Sequence, residues 1–237
     1  MRRRVALLTS LLVLLAAAVQ AATTQEVSFR TDDGVTIAGT LYLPARSGPG
    51  IILLHALSRS REDWQVTAVR LADAGFVALA IDLRGHGASG PPPEGTDLHD
   101  LTKMMADIRA ARAFLASRRE VSPDRIGFAG ASIGANLSIL FAANDPTVRS
   151  LALLSPGIDY RGLRPEAALK KYAERPALLV ASQEDNYAAN SARQLAKAGP
   201  GIRDLRILSG AGHGTAMIAR QSDLAASLVD WFRRTLL

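Results

Sequence analysis

Ser132 stands in Gly130-Ala131-Ser132-Ile133-Gly134, between a short apolar run and an amphipathic one. A serine hydroxyl is a weak nucleophile until a base takes its proton, and that base needs a third group to orient it. Chemistry at Ser132 therefore requires a histidine and an acid elsewhere in the chain. His213, in Gly-Ala-Gly-His-Gly, is the only one of the four histidines that follows Ser132. The acid expected to serve it is Asp185, in Ser-Gln-Glu-Asp-Asn-Tyr, with Asp159 as the alternative. Such a set suits acyl transfer: attack of the hydroxyl on a carbonyl, with the Ile133 N–H placed to meet the developing negative charge.

These residues need elements to hold them. Ile126, Phe128 and Ala129 read as a buried strand, and Ile133, Leu137, Leu140 and Phe141 fall at helical spacing, so Ser132 is expected on a strand-to-helix turn. Gly130 and Gly134 fit a turn too tight for side chains beside it. The near-continuous runs Gly50 to Ala56, Phe76 to Leu83, Ser150 to Pro156, Ala177 to Gln183 and Leu205 to Gly210 read as further strands, several of them covered on both faces. Val35 to Leu43 joins Val27-Ser28-Phe29 through Asp32-Asp33-Gly34 as an antiparallel hairpin. Helices are expected over Arg61 to Ala74, along a long stretch marked by Leu98, Leu101, Met105, Ile108 and Leu115, and over Ala188 to Ala198 and Met217 to Arg234. Alternation of this kind specifies an α/β fold with a mostly parallel sheet. Ser89 is a second serine in a glycine-rich stretch, but Pro91, Pro92 and Pro93 forbid the helix that a strand-to-helix turn requires.

The first residues carry a different signal. Three arginines precede an uncharged apolar run from Val5 to Val19 and a small-residue site at Val19-Gln20-Ala21, the pattern of a secretory signal peptide. Residues 1–21 are thus expected to be removed, leaving 22–237 as one domain that is secreted or periplasmic. The apolar run is shorter than the roughly 20 residues of a spanning helix, so no stable membrane insertion is expected. The chain has no cysteine, and stability must come from its core. Its net charge is +6, of which Arg2, Arg3 and Arg4 supply three; the rest of the basic residues are scattered, which argues against a nucleic-acid partner.

In the order Ser132, Asp185, His213 the chain resembles the α/β-hydrolase superfamily over essentially all of residues 22–237. Leu54-His55-Ala56-Leu57 is similar to that superfamily's oxyanion loop, and Asp82-Leu83-Arg84-Gly85-His86-Gly87-Ala88-Ser89 matches its D-x-R-G-H-G-x-S segment. The compact form is similar to dienelactone-hydrolase-like and small esterase members, because only Gly157 to Pro176 stands where larger members insert a lid. The resemblance implies an α/β-hydrolase fold with helices on both faces of the sheet, Ser132 as nucleophile, Asp185 and His213 as its partners, and Ile133 with Ala56 or Leu57 as oxyanion donors. It implies a small-molecule ester substrate and neither metal nor organic cofactor. His55 and His86 are expected to hold loops. Two departures stand out: Ala56 replaces the usual glycine, and a serine occupies the place of the cysteine of dienelactone hydrolases proper, which turns the reading toward a serine esterase. A peptidase or acyl-aminoacyl hydrolase is the alternative enzyme, since the triad does not choose between ester and amide. A catalytically silent binding protein is the alternative outside enzymology, and the complete residue set argues against it.

Overall fold

The structure, a computed structural model, describes residues 22–95, 97 and 100–237. The expected leader over residues 1–21 lies outside these, as does Leu98 of the expected second helix. The strands are β1 (Thr23–Arg30), β2 (Thr36–Leu43), β3 (Gly48–Leu54), β4 (Val77–Ile81), β5 (Val121–Ala131), β6 (Val148–Leu154), β7 (Ala177–Ser182) and β8 (Arg203–Leu208). The helices are α1 (Gln65–Asp73), α2 (Met105–Ala116), α3 (Ile133–Ala142), α4 (Glu166–Lys171), α5 (Asn186–Leu195), α6 (Ala216–Arg220) and α7 (Leu224–Leu236).

All eight strands join one sheet in the order β1-β2-β4-β3-β5-β6-β7-β8. The leading hairpin is antiparallel, with Arg30 opposite Thr36, and β2 runs antiparallel to β4; the other pairings are parallel. Every residue of β3, β4 and β7 is buried, because helices cover both faces of those strands. Ile108, Leu115, Leu137, Ala192 and Leu195 bring α2, α3 and α5 onto one face. Ala68, Leu71, Leu228, Trp231 and Phe232 bring α1 and α7 onto the other. Each fully buried leucine, isoleucine or phenylalanine side chain contributes about 1.5–3 kcal/mol relative to exposure.

The connection after β3 carries α1 across one face to β4, whereas the connection after β5 carries α3 across the opposite face to β6. Neighbouring strands β3 and β5 therefore send their chains apart, and a crevice opens at their carboxyl ends, where open α/β sheets bind ligands.

Several expected elements differ in detail. The helix expected from Arg61 opens as a 3₁₀ turn over Arg61–Trp64 before α1 begins. The last helix is divided, because Gln221 takes an extended conformation (φ −122°, ψ 96°) between α6 and α7. Strand β5 reaches back to Val121, with a register jump from Pro49 opposite Ser122 to Gly50 opposite Ile126 that leaves residues 123–125 bulged out. The stretch Gly157 to Pro176 carries α4, which the sequence reading lacked because six residues are too few to show a helical period.

The D-x-R-G-H-G-x-S segment turns out to be a structural knot. Buried Asp82 accepts hydrogen bonds from the backbone N–H groups of Arg61 (2.7 Å) and Ala88 (2.9 Å) and pairs with the Arg61 guanidinium. Gly87 lies so close to that carboxylate that a Cβ would fall 2.0 Å from Asp82 Oδ2. Ser89 Oγ donates to the Asp82 carbonyl and accepts from Ala38 N–H, tying the loop to β2. Arg84, also buried, donates to Asp107 on α2 (2.8 Å) and to Asp33 of the leading hairpin (2.6 and 3.0 Å). Those hydrogen bonds from Arg84 hold the Asp33 carboxyl down at about 2, below its ordinary 3.8.

A depressed carboxylate stabilises the fold above its unfolded pKa and loses that contribution as pH falls through the folded value. Stability should therefore decline between about pH 4 and pH 2. Denaturant midpoints measured at pH 5 and pH 2.5 should differ less for Asp33→Asn than for the parent, and Asp33→Asn should be the less stable at pH 7, where Arg84 loses one partner. An unchanged acid limb in the variant would remove Asp33 from this role.

Candidate active site

Ser132 sits at the carboxyl end of β5 with φ 54° and ψ −115°, a left-handed conformation rare for a residue with a side chain. Its flanking glycines are forced by backbone proximity. A Cβ on Gly130 would lie 2.2 Å from the Gly134 carbonyl oxygen, and one on Gly134 would lie 2.5 Å from that of Leu54 and 2.7 Å from that of His55. The turn thus packs α3 directly onto the loop that follows β3. Ser132 N–H is anchored to the Leu154 carbonyl at 2.8 Å, and Ile133 follows as the first residue of α3. The helix presents its positive end beside the hydroxyl.

His213 projects from the loop between β8 and α6, and its Nδ1 lies 2.5 Å from Asp185 Oδ2. A carboxylate only accepts, so Nδ1 carries the proton and Nε2 remains as the basic nitrogen. Asp185 follows β7, caps α5 by accepting from Ala188 N–H at 3.2 Å, and keeps 18% side-chain exposure against 52% for His213. Asp159 is occupied otherwise: its carboxylate accepts from Arg164 (2.6 Å) and from Gly162 N–H (3.1 Å). Those contacts hold its carboxyl below the usual range.

Ser132 and His213 line one cleft of about 310 Å³, together with Ala56, Leu57 and Ser58 after β3 and Ser155, Gly157 and Tyr160 after β6. Asn136 and Tyr187 close its remaining wall. His55 is completely buried and accepts from Leu83 N–H at Nε2 (3.0 Å), which leaves Nδ1–H to donate to the Ala56 carbonyl (2.7 Å). Burial pushes its pKa down, so this ring is a neutral strut that fixes the loop. His86 stacks obliquely on it at 5.0 Å and contacts the Arg84 carbonyl. Both act as loop supports.

The sequence reading missed the residues that fasten the cleft. Ser182, the last residue of β7, accepts from Ala211 and Gly212 N–H groups (3.0 and 3.2 Å) and donates to Glu184. Buried Ser155 accepts from Gly214 N–H at 2.9 Å, so the histidine loop is clamped on both sides of His213. Thr215 Oγ1 donates to Asp63, which pairs with Arg59. Asn136 on α3 accepts from Gly157 N–H (2.9 Å) and donates to the Leu163 carbonyl (3.1 Å), while Tyr187 Oη accepts from Asp159 N–H (3.1 Å). The available signal was position alone: small polar residues at the carboxyl ends of parallel strands. Among the described residues, no group of three or more His, Asp or Glu side chains is arranged to hold a metal ion.

Comparison with known proteins agrees with this architecture. A dienelactone hydrolase structure from Anabaena variabilis superposes with a TM-score of 0.75 at 20% identity, covering 92% of this chain and 100% of that one. An esterase of Pyrococcus furiosus gives 0.74 at 18%, covering 91% and 94%. In sequence, a polyketide transferase of Stachybotrys chlorohalonatus is 32% identical over 139 residues, which are 58% of this chain and 46% of that protein. The chain spans under half the length of the first curated relatives it matches. The family match is broader, running over residues 37–236, and by it the chain belongs to the dienelactone hydrolase family.

Proposed function

We propose that this protein is a serine hydrolase that cleaves carboxylic esters through an acyl-enzyme. The observation that carries the reading is the 2.5 Å contact of His213 Nδ1 with Asp185, in a cleft that His213 shares with Ser132. With Nδ1–H held by the carboxylate, Nε2 takes the Ser132 proton as Oγ attacks the ester carbonyl carbon. The tetrahedral oxyanion then collapses, the bond to the alcohol oxygen breaks, and Nε2–H protonates the departing alkoxide. Water repeats the sequence on the acyl-enzyme and frees the acid. Asp185 stabilises the imidazolium that forms in each half.

The oxyanion meets Ile133 N–H at the start of α3. For the second donor, left between Ala56 and Leu57 by the sequence, peptide geometry supports Leu57 N–H. The Ala56 carbonyl is held by His55 Nδ1–H and by Arg59 N–H (3.1 Å). Across a trans peptide the N–H points opposite to the C=O, so Leu57 N–H faces away from His55. His55 is thereby a positioning residue for the donor, and an alanine at position 56 suffices where only its backbone is used. Each such donor is worth about 10²–10³ in kcat. The leader pattern over residues 1–21 supports an exported location, secreted or periplasmic.

A fluorophosphonate probe should label the folded protein at Ser132, with p-nitrophenyl acetate turnover lost in proportion to labelling. Folded protein that neither reacts with the probe nor turns over the ester would overturn the reading.

A further inference from the structure

A second chamber of about 290 Å³ adjoins the catalytic cleft. Leu57 lines both spaces, and the consecutive residues Tyr160 and Arg161 line one each, so the two spaces are neighbours. Part of the chamber's lining is apolar: Leu101 and Met104 are buried, with Leu57 and Pro92 also lining the space. The rest of the lining is charged but mixed, with Arg84, Lys103 and Arg161 against Asp97 and Asp100. Lys103 lies 3.9 Å from Asp100, and the Arg161 guanidinium sits over the Tyr160 ring at 5.7 Å. The Arg84 guanidinium is committed to Asp33 and Asp107. A lining of both signs beside an apolar part does not select an anion; it suits an uncharged hydrocarbon.

We propose that this chamber receives the acyl chain of the substrate, so that the preferred esters are those of neutral medium-chain acids. The inference rests on the acyl-transfer reading of Ser132. With the carbonyl at Ser132 and its oxygen at Leu57 N–H, the acyl substituent passes the Leu57 side chain and enters the chamber. Allowing roughly 30 Å³ for each methylene-sized group, the space takes a chain of roughly eight to ten carbons.

The test is a series of p-nitrophenyl acetate, butyrate, hexanoate and octanoate on the full protein and on two variants. In the parent, kcat/KM should rise by roughly two- to fourfold per methylene through octanoate. Met104→Trp fills the apolar part and should abolish the rise while leaving acetate turnover within about twofold. Pro92→Trp narrows the same space from a surface loop and should shorten the preferred chain without touching the core. A parent profile that falls from acetate onward, in protein that labels at Ser132, overturns the chamber and leaves the hydrolase reading standing. Folded variants that slow acetate and hexanoate equally overturn it as well. Absence of both labelling and turnover on every ester overturns the acyl-transfer reading itself.

Discussion

Ser132→Ala is expected to lower kcat on an activated ester by roughly a million-fold, with the fold intact. That loss corresponds to about 8 kcal/mol of transition-state stabilisation, the scale of a step that disappears rather than one that is merely hindered. Alanine accepts the same φ of 54° no worse than serine does, and the turn is held by Gly130, Gly134 and the Ser132 N–H bond to Leu154, none of which uses the hydroxyl. The melting temperature should therefore change by only a degree or two. Single-turnover kinetics would show the loss of the acyl-enzyme burst, and what remains would reflect Ile133, Leu57 and substrate binding. A variant retaining more than about a hundredth of parental activity would refute Ser132 as nucleophile. Two other serines line the cleft, and neither substitutes: the Ser155 hydroxyl is taken by Gly214 N–H, and Ser58 lies within the loop after β3 rather than at the start of an α-helix.

The second large effect separates two carboxylates. Asp185→Asn should lower kcat by roughly 10⁴-fold, because an amide can present its N–H to Nδ1 and hold the wrong tautomer, and it cannot stabilise the imidazolium. Asparagine caps a helix as well as aspartate does, so the Ala188 N–H bond at the start of α5 survives and stability should be nearly unchanged. Asp159→Asn should leave kcat within about twofold, since Asp159 bonds Arg164 and Gly162 rather than His213. The reverse pattern, a large loss at Asp159 and a small one at Asp185, would move the acid to Asp159 and break the geometry argued here. Circular dichroism of both variants checks that activity and folding are read separately.

The turn that carries Ser132 was legible in the chain because a strand-to-helix turn is a local object. Its signals, an apolar run, two glycines at fixed offsets and a helical period, all fall within a few residues of Ser132. Hydrophobic alternation likewise gave the mostly parallel sheet and its leading hairpin, since burial on one or both faces dictates the side-chain period. The short helix α4 and the division of α6 from α7 were not legible. Six residues carry too little periodicity, and the break at Gln221 is a backbone choice that no glycine or proline announces.

By itself the sequence determined the main elements and their order: Ser132 on a turn, a histidine in a glycine-rich loop downstream, and acids after two different strands. Only the tertiary structure decided which acid meets that histidine. β7 pairs directly with β8, Ser182 opposite Leu208, so the loops leaving these strands lie side by side and bring Asp185 to His213. Asp159 follows β6, which stands one strand further away, with β7 between it and β8. Chain order places both carboxylates after Ser132, but lateral strand order, set by packing of the whole sheet, sorts them.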